Sequence, residues 1–340
     1  MIEPVDATPA RRFNSGSLFI GDVMLLRMIA FATFALLCAG LTASPGNAVT
    51  YYVAGNASSS NTACSSTAPC NDLGKALANA HAGDAIVCVS PPVATALNIT
   101  VSVSIDCSGT RAPHRDASYN NGSAGVGIAI NIPPSTIDPL RTVRLRGLTI
   151  DGASPGNPPD GRYLDRGIDI QAAKTVYIED CVISNVKQQG ILDRRTGGQT
   201  KLFIKDTIVS GNGSAGIALG AQGPNTNVLD NVSTEYNRYG LAAATGNNVL
   251  INRSVFSGNS TAGIEGDVGA QIAVDNSVIS HNDIGVQSNS SVRLFNNHIA
   301  FNSSAITGSS ASLGQNRFSG NSTLGTAPTA IAGASANIGP

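Results

Sequence analysis

Tryptophan is absent from this sequence of 340 residues, and aromatic residues of all kinds make up only 5% of it. That scarcity excludes a core built on large rings and argues against a binding face paved with them. Charge is scarce as well: Asp, Glu, Lys and Arg together reach 13%, about half the usual quarter, and nearly cancel to a net −1. So few cations in near balance argue against nucleic acid as the main partner. Disorder is excluded in turn by a hydrophobic content of 42%. Beyond the N-terminal region no apolar run approaches the roughly 20 residues of a bilayer span. What is abundant is glycine, with 37 residues, alongside Asn, Ser and small aliphatics. This is the composition of many short, regular strands and turns.

The one long apolar stretch has the layout of a secretory signal peptide. Arg27 supplies the positive start, residues 29–41 form the apolar run, and small residues follow up to Ala48, after which cleavage is expected. The polar stretch before Met24 leaves Met24 and Met28 as alternative starts. Arg11-Arg12 lies well away from the apolar run, and Cys38 follows Leu37 rather than a small residue, so neither a twin-arginine signal nor a lipoprotein anchor is supported. A secreted or periplasmic protein with no membrane span in its mature form is expected. Its remaining cysteines pair by local spacing in an oxidising compartment as Cys64–Cys70 and Cys88–Cys107. Cys181 is left as a buried apolar residue. No C-x-x-C pair occurs and the four histidines are scattered, so no structural zinc site is expected.

Past residue 140 the chain repeats with a period in the low twenties. Val249, Ile251, Ser254, Phe256 and Asn259 set offsets 0, +2, +5, +7 and +10. The same offsets recur from Leu202, Asn227, Ile272, Val292 and Ala311, and less completely from Val143 and Val176. Gly followed by an aliphatic residue comes soon after, as in Gly190-Ile191, Gly216-Ile217 and Gly263-Ile264. Offsets 0 and +2, then +5 and +7, describe two period-2 strands separated by a corner, and the Gly opens a third. Such spacing predicts a coil in which each strand pairs in parallel with its equivalent one turn later. The Asn at +10 belongs at a corner, where stacked copies form a hydrogen-bonded ladder. Asn212 and Asn259 match the Asn-x-Ser/Thr acceptor pattern but are read as ladder residues. His281 and His298 fall near corners and are expected on the surface.

Four segments follow: an N-terminal extension with signal peptide (1–48), a cap with the first coils (49–139), the repeats (140–322) and a loosely ordered tail (323–340). In the cap, residues 71–82 read as a short amphipathic helix with Leu73, Ala76, Leu77 and Ala80 on one stripe. A helix there would cover the open edge of the coil. Strands are expected at 85–89, 99–105 and 126–132, with Cys88–Cys107 joining neighbours.

The recurring V-x-I-x-[DN]-x-x-[IF]-x-x-N…G-[IV] unit resembles the right-handed parallel β-helix repeat of the pectate-lyase-like superfamily. The segment 73–107, with AGDAIVC and SIDCSGT, is similar to the N-terminal part of exported bacterial β-helix proteins of unassigned activity. The resemblance implies an all-β fold, a three-sheet solenoid with a short N-terminal capping helix. It also implies a range of functions, from pectate lyases, polygalacturonases and alginate epimerases to phage tailspikes and adhesins, among which fold does not choose. The Asn-Thr-Asp, Asp-Asp, Gly-His-Gly and Arg-Ile-Lys motifs of polygalacturonase-like hydrolases are all missing, which disfavours that chemistry. Arg111-Ala112-Pro113-His114-Arg115 is one residue short of the pectate-lyase R-x-P-x-x-R motif and reads as a surface loop.

The strand after each Gly is where such folds place a substrate groove. If its first aliphatic points inward, the next residues outward are Asp169, Leu192, Ala218, Ala242, Glu265, Gln287 and Thr307. A second outward row reads Gln171, Arg194, Gly220, Ala244, Asp267, Asn289 and Ser309. Asp169 and Arg194 are the candidate catalytic pair, a base with a charge-stabilising partner about 4.8 Å away on the next coil. Asp165, Arg166 and Arg195 lie nearby in sequence. Gln171, Glu265, Asp267 and Gln287 are the candidate substrate-binding residues. No metal site and no cofactor are assigned. Calcium at Glu265 and Asp267 would need further carboxylates. Two functions are therefore expected to compete: an exported β-helix that binds, cleaves or epimerises an acidic polysaccharide, and a non-enzymatic surface or periplasmic scaffold.

Overall fold

The computed structural model describes residues 48–331 apart from 94–95, 111, 115–124 and 153–163, with backbone alone for 112–114. The segment expected to be a signal peptide, the ends of the Arg111–Arg115 motif and the last nine residues lie outside these. Among the described residues there are 27 strands, and each pairs in parallel with its equivalent on a neighbouring turn.

One turn shows the plan. Arg166–Ala172 lies in sheet A, Thr175–Glu179 in sheet B and Val182–Ser184 in sheet C, and Ile191–Asp193 returns the chain to sheet A. Each strand buries alternate side chains, so the interior is a stack of small aliphatics: Ile168 and Ile170 from sheet A, Val176 and Ile178 from B, Ile183 from C, each fully buried. β-Branched residues stack on one another at the strand spacing without rings, which is how a chain lacking Trp fills its core. The repeat anchors align as the spacing predicts, from Val143 through Val176, Leu202, Asn227, Val249 and Ile272 to Val292. The last copy departs from it. Ser310 rather than Ala311 pairs with Val292, and a register shift beside Leu294 realigns the chain. Ala311 and Leu313 therefore face outward, while Ser312 turns in and accepts hydrogen bonds from Asn316 Nδ2 (2.9 Å) and Gly314 N (3.1 Å). An extra residue in one strand flips the side chains beyond it, as a β-bulge does.

The corner ladder forms as expected. Asn212, Asn237, Asn259, Asn282, Asn302 and Asn321 stack, each backbone N–H donating to the next Oδ1 at 2.9–3.1 Å. The five from Asn212 to Asn302 are buried, so Asn212 and Asn259 present no glycosylation acceptor. A second inner row, Ser254, Ser277, Asn297 and Asn316, is bonded in the same way at the corner between B and C. The residue before each ladder Asn has positive φ. Where it is Tyr236 its ring lies over Gly258 (φ 65°), and a Cβ there would come within 2.8 Å of the ring. His281 and His298 are exposed, and the His281 ring stacks on Phe301.

The helix is shorter than the sequence suggests, Leu73–Asn79, capped by Asp72, whose side chain accepts from Lys75 N. Leu73 and Ala76 are buried against the first strands, so it covers the open edge of the coil. The strand expected at 99–105 is two strands, Leu97–Ile99 in sheet A and Val103–Asp106 in sheet B, because a corner intervenes. Beyond residue 322 the winding continues: Thr323–Gly325 and Thr329–Ala330 each pair with the preceding turn. Both disulfides form as paired by spacing, Cys64–Cys70 and Cys88–Cys107. Cys181 is 1% exposed, and burial pushes its thiol up to about 12. No helix among the described residues is long and apolar enough to cross a membrane.

Candidate functional site

Sheet A carries the outward row in the register expected. Asp169 pairs with Leu192, Leu192 with Ala218, Ala218 with Ala242, Ala242 with Glu265, and Glu265 with Gln287. Pleating alternates the flanking Ile168 and Ile170 into the core and leaves Asp169 on the outer face. From Asp169 to Glu265 is four strand steps, about 19 Å along the axis. The floor between them is Leu192, Ala218 and Ala242. This is a neutral, shallow strip with polar clusters at both ends.

At the first end, Arg194 grips Asp169 with both oxygens engaged, Nε to Oδ1 at 2.8 Å and Nη2 to Oδ2 at 2.7 Å. Gln171 Nε2 adds a third contact at 3.2 Å, and Arg166 Nη1 stands 3.9 Å away. These side chains roof the carboxylate, so Asp169 is 1% exposed despite facing outward, whereas Arg194 remains 49% exposed. The hydrogen bond to Asp169 also holds the Arg194 charge more firmly. A carboxylate with both oxygens in a bidentate fork is a poor proton acceptor. Asp169 thus holds the guanidinium in place, and Arg194 is the member of the pair left exposed.

At the second end, burial pushes the Glu265 carboxyl above its ordinary range, Asp267 adds like-charge repulsion, and Arg238 offsets part of both. The Arg238 guanidinium lies 5.4 Å from the Tyr239 ring centroid at the start of the preceding strand. Glu265 is therefore the side chain in the row best suited to hold and release a proton. Its folded-state proton is retained to higher pH than in the unfolded chain. The associated stability is full below the ordinary carboxyl range and falls as pH rises through the raised value. Glu265→Gln should accordingly raise Tm at about neutral pH and leave it unchanged near about pH 4, read by thermal unfolding at both. For calcium the donor set falls short. Glu265 and Asp267 supply two carboxylates, and among the described residues no third His, Cys, Asp or Glu joins them.

Residues 166–323 match the family described as "Right handed beta helix region". The chain folds as a right-handed parallel β-helix. No curated protein matches its sequence. Among solved structures the β-helix is similar to pectate lyase Pel9A, with 14% identity and a TM-score of 0.52, covering 86% of this chain and 81% of that one. It is similar also to the A-module of mannuronan C-5 epimerase AlgE6 from Azotobacter vinelandii, with 14% identity, a TM-score of 0.52 and coverage of 89% and 93%. XylC, solved in complex with xylose, aligns with 12% identity and a TM-score of 0.54 over 79% and 68%. At these identities the likeness is one of fold.

Two features of the β-helix were not anticipated. Arg195, grouped by sequence with the outer cluster, points inward. Among the described residues it is the largest fully buried side chain, and it pairs inside the coil with Asp193, Nε to Oδ1 at 2.8 Å and Nη2 to Oδ2 at 2.5 Å. Its Nη1 reaches the carbonyls of Ala173, Lys174 and Lys201. The signal was present in the repeat: Asp193 occupies the column filled by Ile170 before it and Leu219 after it. A carboxylate in an inward column demands an inward partner. The second feature is an aromatic stack on the outside of sheet B. Arg144 lies 4.4 Å over Tyr177, and Tyr177 stacks on Phe203 with centroids 5.0 Å apart. The rings face one another along the axis rather than solvent, so they offer edges and no platform for a sugar.

Proposed function

We propose that this protein is an exported β-helix that binds an acidic polysaccharide along the outer face of sheet A. The observation that carries the reading is the unbroken row from Asp169 to Gln287. Its small neutral floor lets an extended chain lie close to the strands. Arg194, fixed by Asp169 and half exposed, offers its remaining N–H groups to a carboxylate. The fold neighbours named for pectate and mannuronan chemistry support the choice of ligand class. If the β-helix also turns its ligand over, the centre is Glu265 with Arg238 and Tyr239 rather than Asp169. The raised carboxyl beside a guanidinium is what favours this second reading, a lyase or epimerase type of proton abstraction.

Binding to polygalacturonate and alginate is the direct test. Arg194→Ala should weaken retention about tenfold, the equivalent of one lost charge-assisted hydrogen bond, and raised salt should weaken the wild type. Retention of neither polymer by the wild type, or unchanged retention by Arg194→Ala, overturns the reading. Unsaturated product, followed by ultraviolet absorbance and lost in Glu265→Gln, supports the second reading. Turnover that survives Glu265→Gln removes it.

A further inference from the structure

Beside the Asp169–Arg194 cluster, where sheet A turns toward sheet B, lies a cavity of about 250 Å³. Gln171, Lys174, Arg141, Arg195, Gln199 and Thr200 contribute to its walls, and none of its lining residues is Asp or Glu. Arg195 is already neutralised by Asp193. The other two cations are not. The Arg141 backbone N–H donates to Asp138 Oδ1 at 3.0 Å, but its side chain donates only through Nε, to the carbonyl of Ile132 at 2.9 Å, and its terminal nitrogens have no partner among the described residues. Lys174 is exposed, and no carboxylate among the described residues pairs with it. The backbone N–H groups of Gly197 and Gly198, also in the wall, donate to no backbone acceptor. Two unneutralised cations around a concave space concentrate positive potential there. A guanidinium fork with an adjacent ammonium suits a carboxylate. The space is below the range of drug-sized pockets and matches a single sugar unit. Gln171 ties it to the groove, since the same side chain that lines the cavity bonds Asp169.

We propose that this cavity is a subsite for the carboxylate of one uronic-acid unit, anchoring a saccharide that lies across sheet A. The proposal rests on the acidic-polysaccharide reading and gives it a lateral anchor outside the outward rows. Galacturonate is expected to bind in the millimolar range, the weak affinity usual for so small a ligand, while galactose does not. Lys174→Gln should weaken galacturonate at least about fivefold and Lys174→Glu should abolish binding. The Lys174 side chain makes no contact needed for folding, so both variants should keep the wild-type Tm. Arg141→Lys, which keeps the charge and loses the fork, should fall between. Calorimetric titration at constant ionic strength with galacturonate, galactose and sodium sulfate reads all of this. Equal binding of galactose, or undiminished galacturonate binding by Lys174→Glu, overturns the subsite. Sulfate binding as tightly as galacturonate assigns the cavity to bare inorganic anions and also overturns it. Polymer retention separates the two ideas. Equal retention by wild type and Lys174→Glu removes the subsite and leaves the sheet A reading standing. Galacturonate binding by a wild type that retains no acidic polymer does the reverse.

Discussion

Replacing Asp193 with alanine should destabilise the β-helix by about 3–5 kcal/mol, the usual cost of leaving one member of a buried ion pair without its partner. Arg195 is 1% exposed, and among the described residues Asp193 supplies its only countercharge. The three carbonyls around Nη1 lie at 3.2–3.4 Å and stabilise the guanidinium dipole by dipole without neutralising it. Ile170 and Leu219 flank Asp193 in its column, and Arg195, though it borders the cavity beside sheet A, has little surface for water to reach. Arg195→Met leaves the carboxylate buried without its partner instead and should also destabilise the fold. The double change Asp193→Leu with Arg195→Met restores the column of Ile170 and Leu219 and should recover most of the loss. Urea unfolding of the three variants reads these outcomes. A single Asp193→Ala change costing under about 1 kcal/mol would show that the pair is not buried in solution.

Asn259→Ala should cost about 3–5 kcal/mol, an effect concentrated at one corner. Asn259 Oδ1 accepts from Asn237 N (3.1 Å) and Asn237 Nδ2 (3.2 Å), while its own Nδ2 reaches Thr234 O (3.1 Å) and Asn282 Oδ1 (2.9 Å). Alanine leaves two donors of buried Asn237 without acceptors, and each stranded buried group costs about 1–3 kcal/mol. Asn321 at the end of the ladder is half-buried, so water replaces its bonds, and Asn321→Ala should cost about 1 kcal/mol or less. The contrast between these sites, measured by denaturant midpoint at unchanged slope, separates a cooperative ladder from an ordinary polar corner. Equal costs at the two positions would contradict the ladder account.

The β-helix was legible because its repeat is written in one dimension. Val249, Ile251, Phe256 and Asn259 recur at fixed offsets, and a fixed offset on parallel strands becomes a straight column in space. The outer row from Asp169 to Gln287 could be read for the same reason. Register failed only at the last copy, where a shift between Ser288 and Val292 placed Ser310 rather than Ala311 opposite Val292 and a second beside Leu294 realigned the chain. A one-residue bulge leaves no compositional mark among Ser, Ala and Gly. Burial within the outer row was also hidden. Asp169 and Glu265 occupy equivalent outward positions, yet Asp169 is roofed by Arg194 and Gln171 while Glu265 is not.

The sequence by itself determined the solenoid, the corner ladders, the two disulfides and which residues share a column. Those follow from periodicity and from the fixed alternation of a β-strand, which need no knowledge of side-chain conformation. Only the tertiary structure decided that Asp169 is roofed by Arg194, that Arg195 turns inward to Asp193, and that Arg141 and Lys174 meet around one cavity. Columns are set by the backbone. Pairing among long charged side chains is set by which partner lies within about 4 Å after packing, and residues as distant in sequence as Arg141 and Lys174 line one cavity only because successive turns stack.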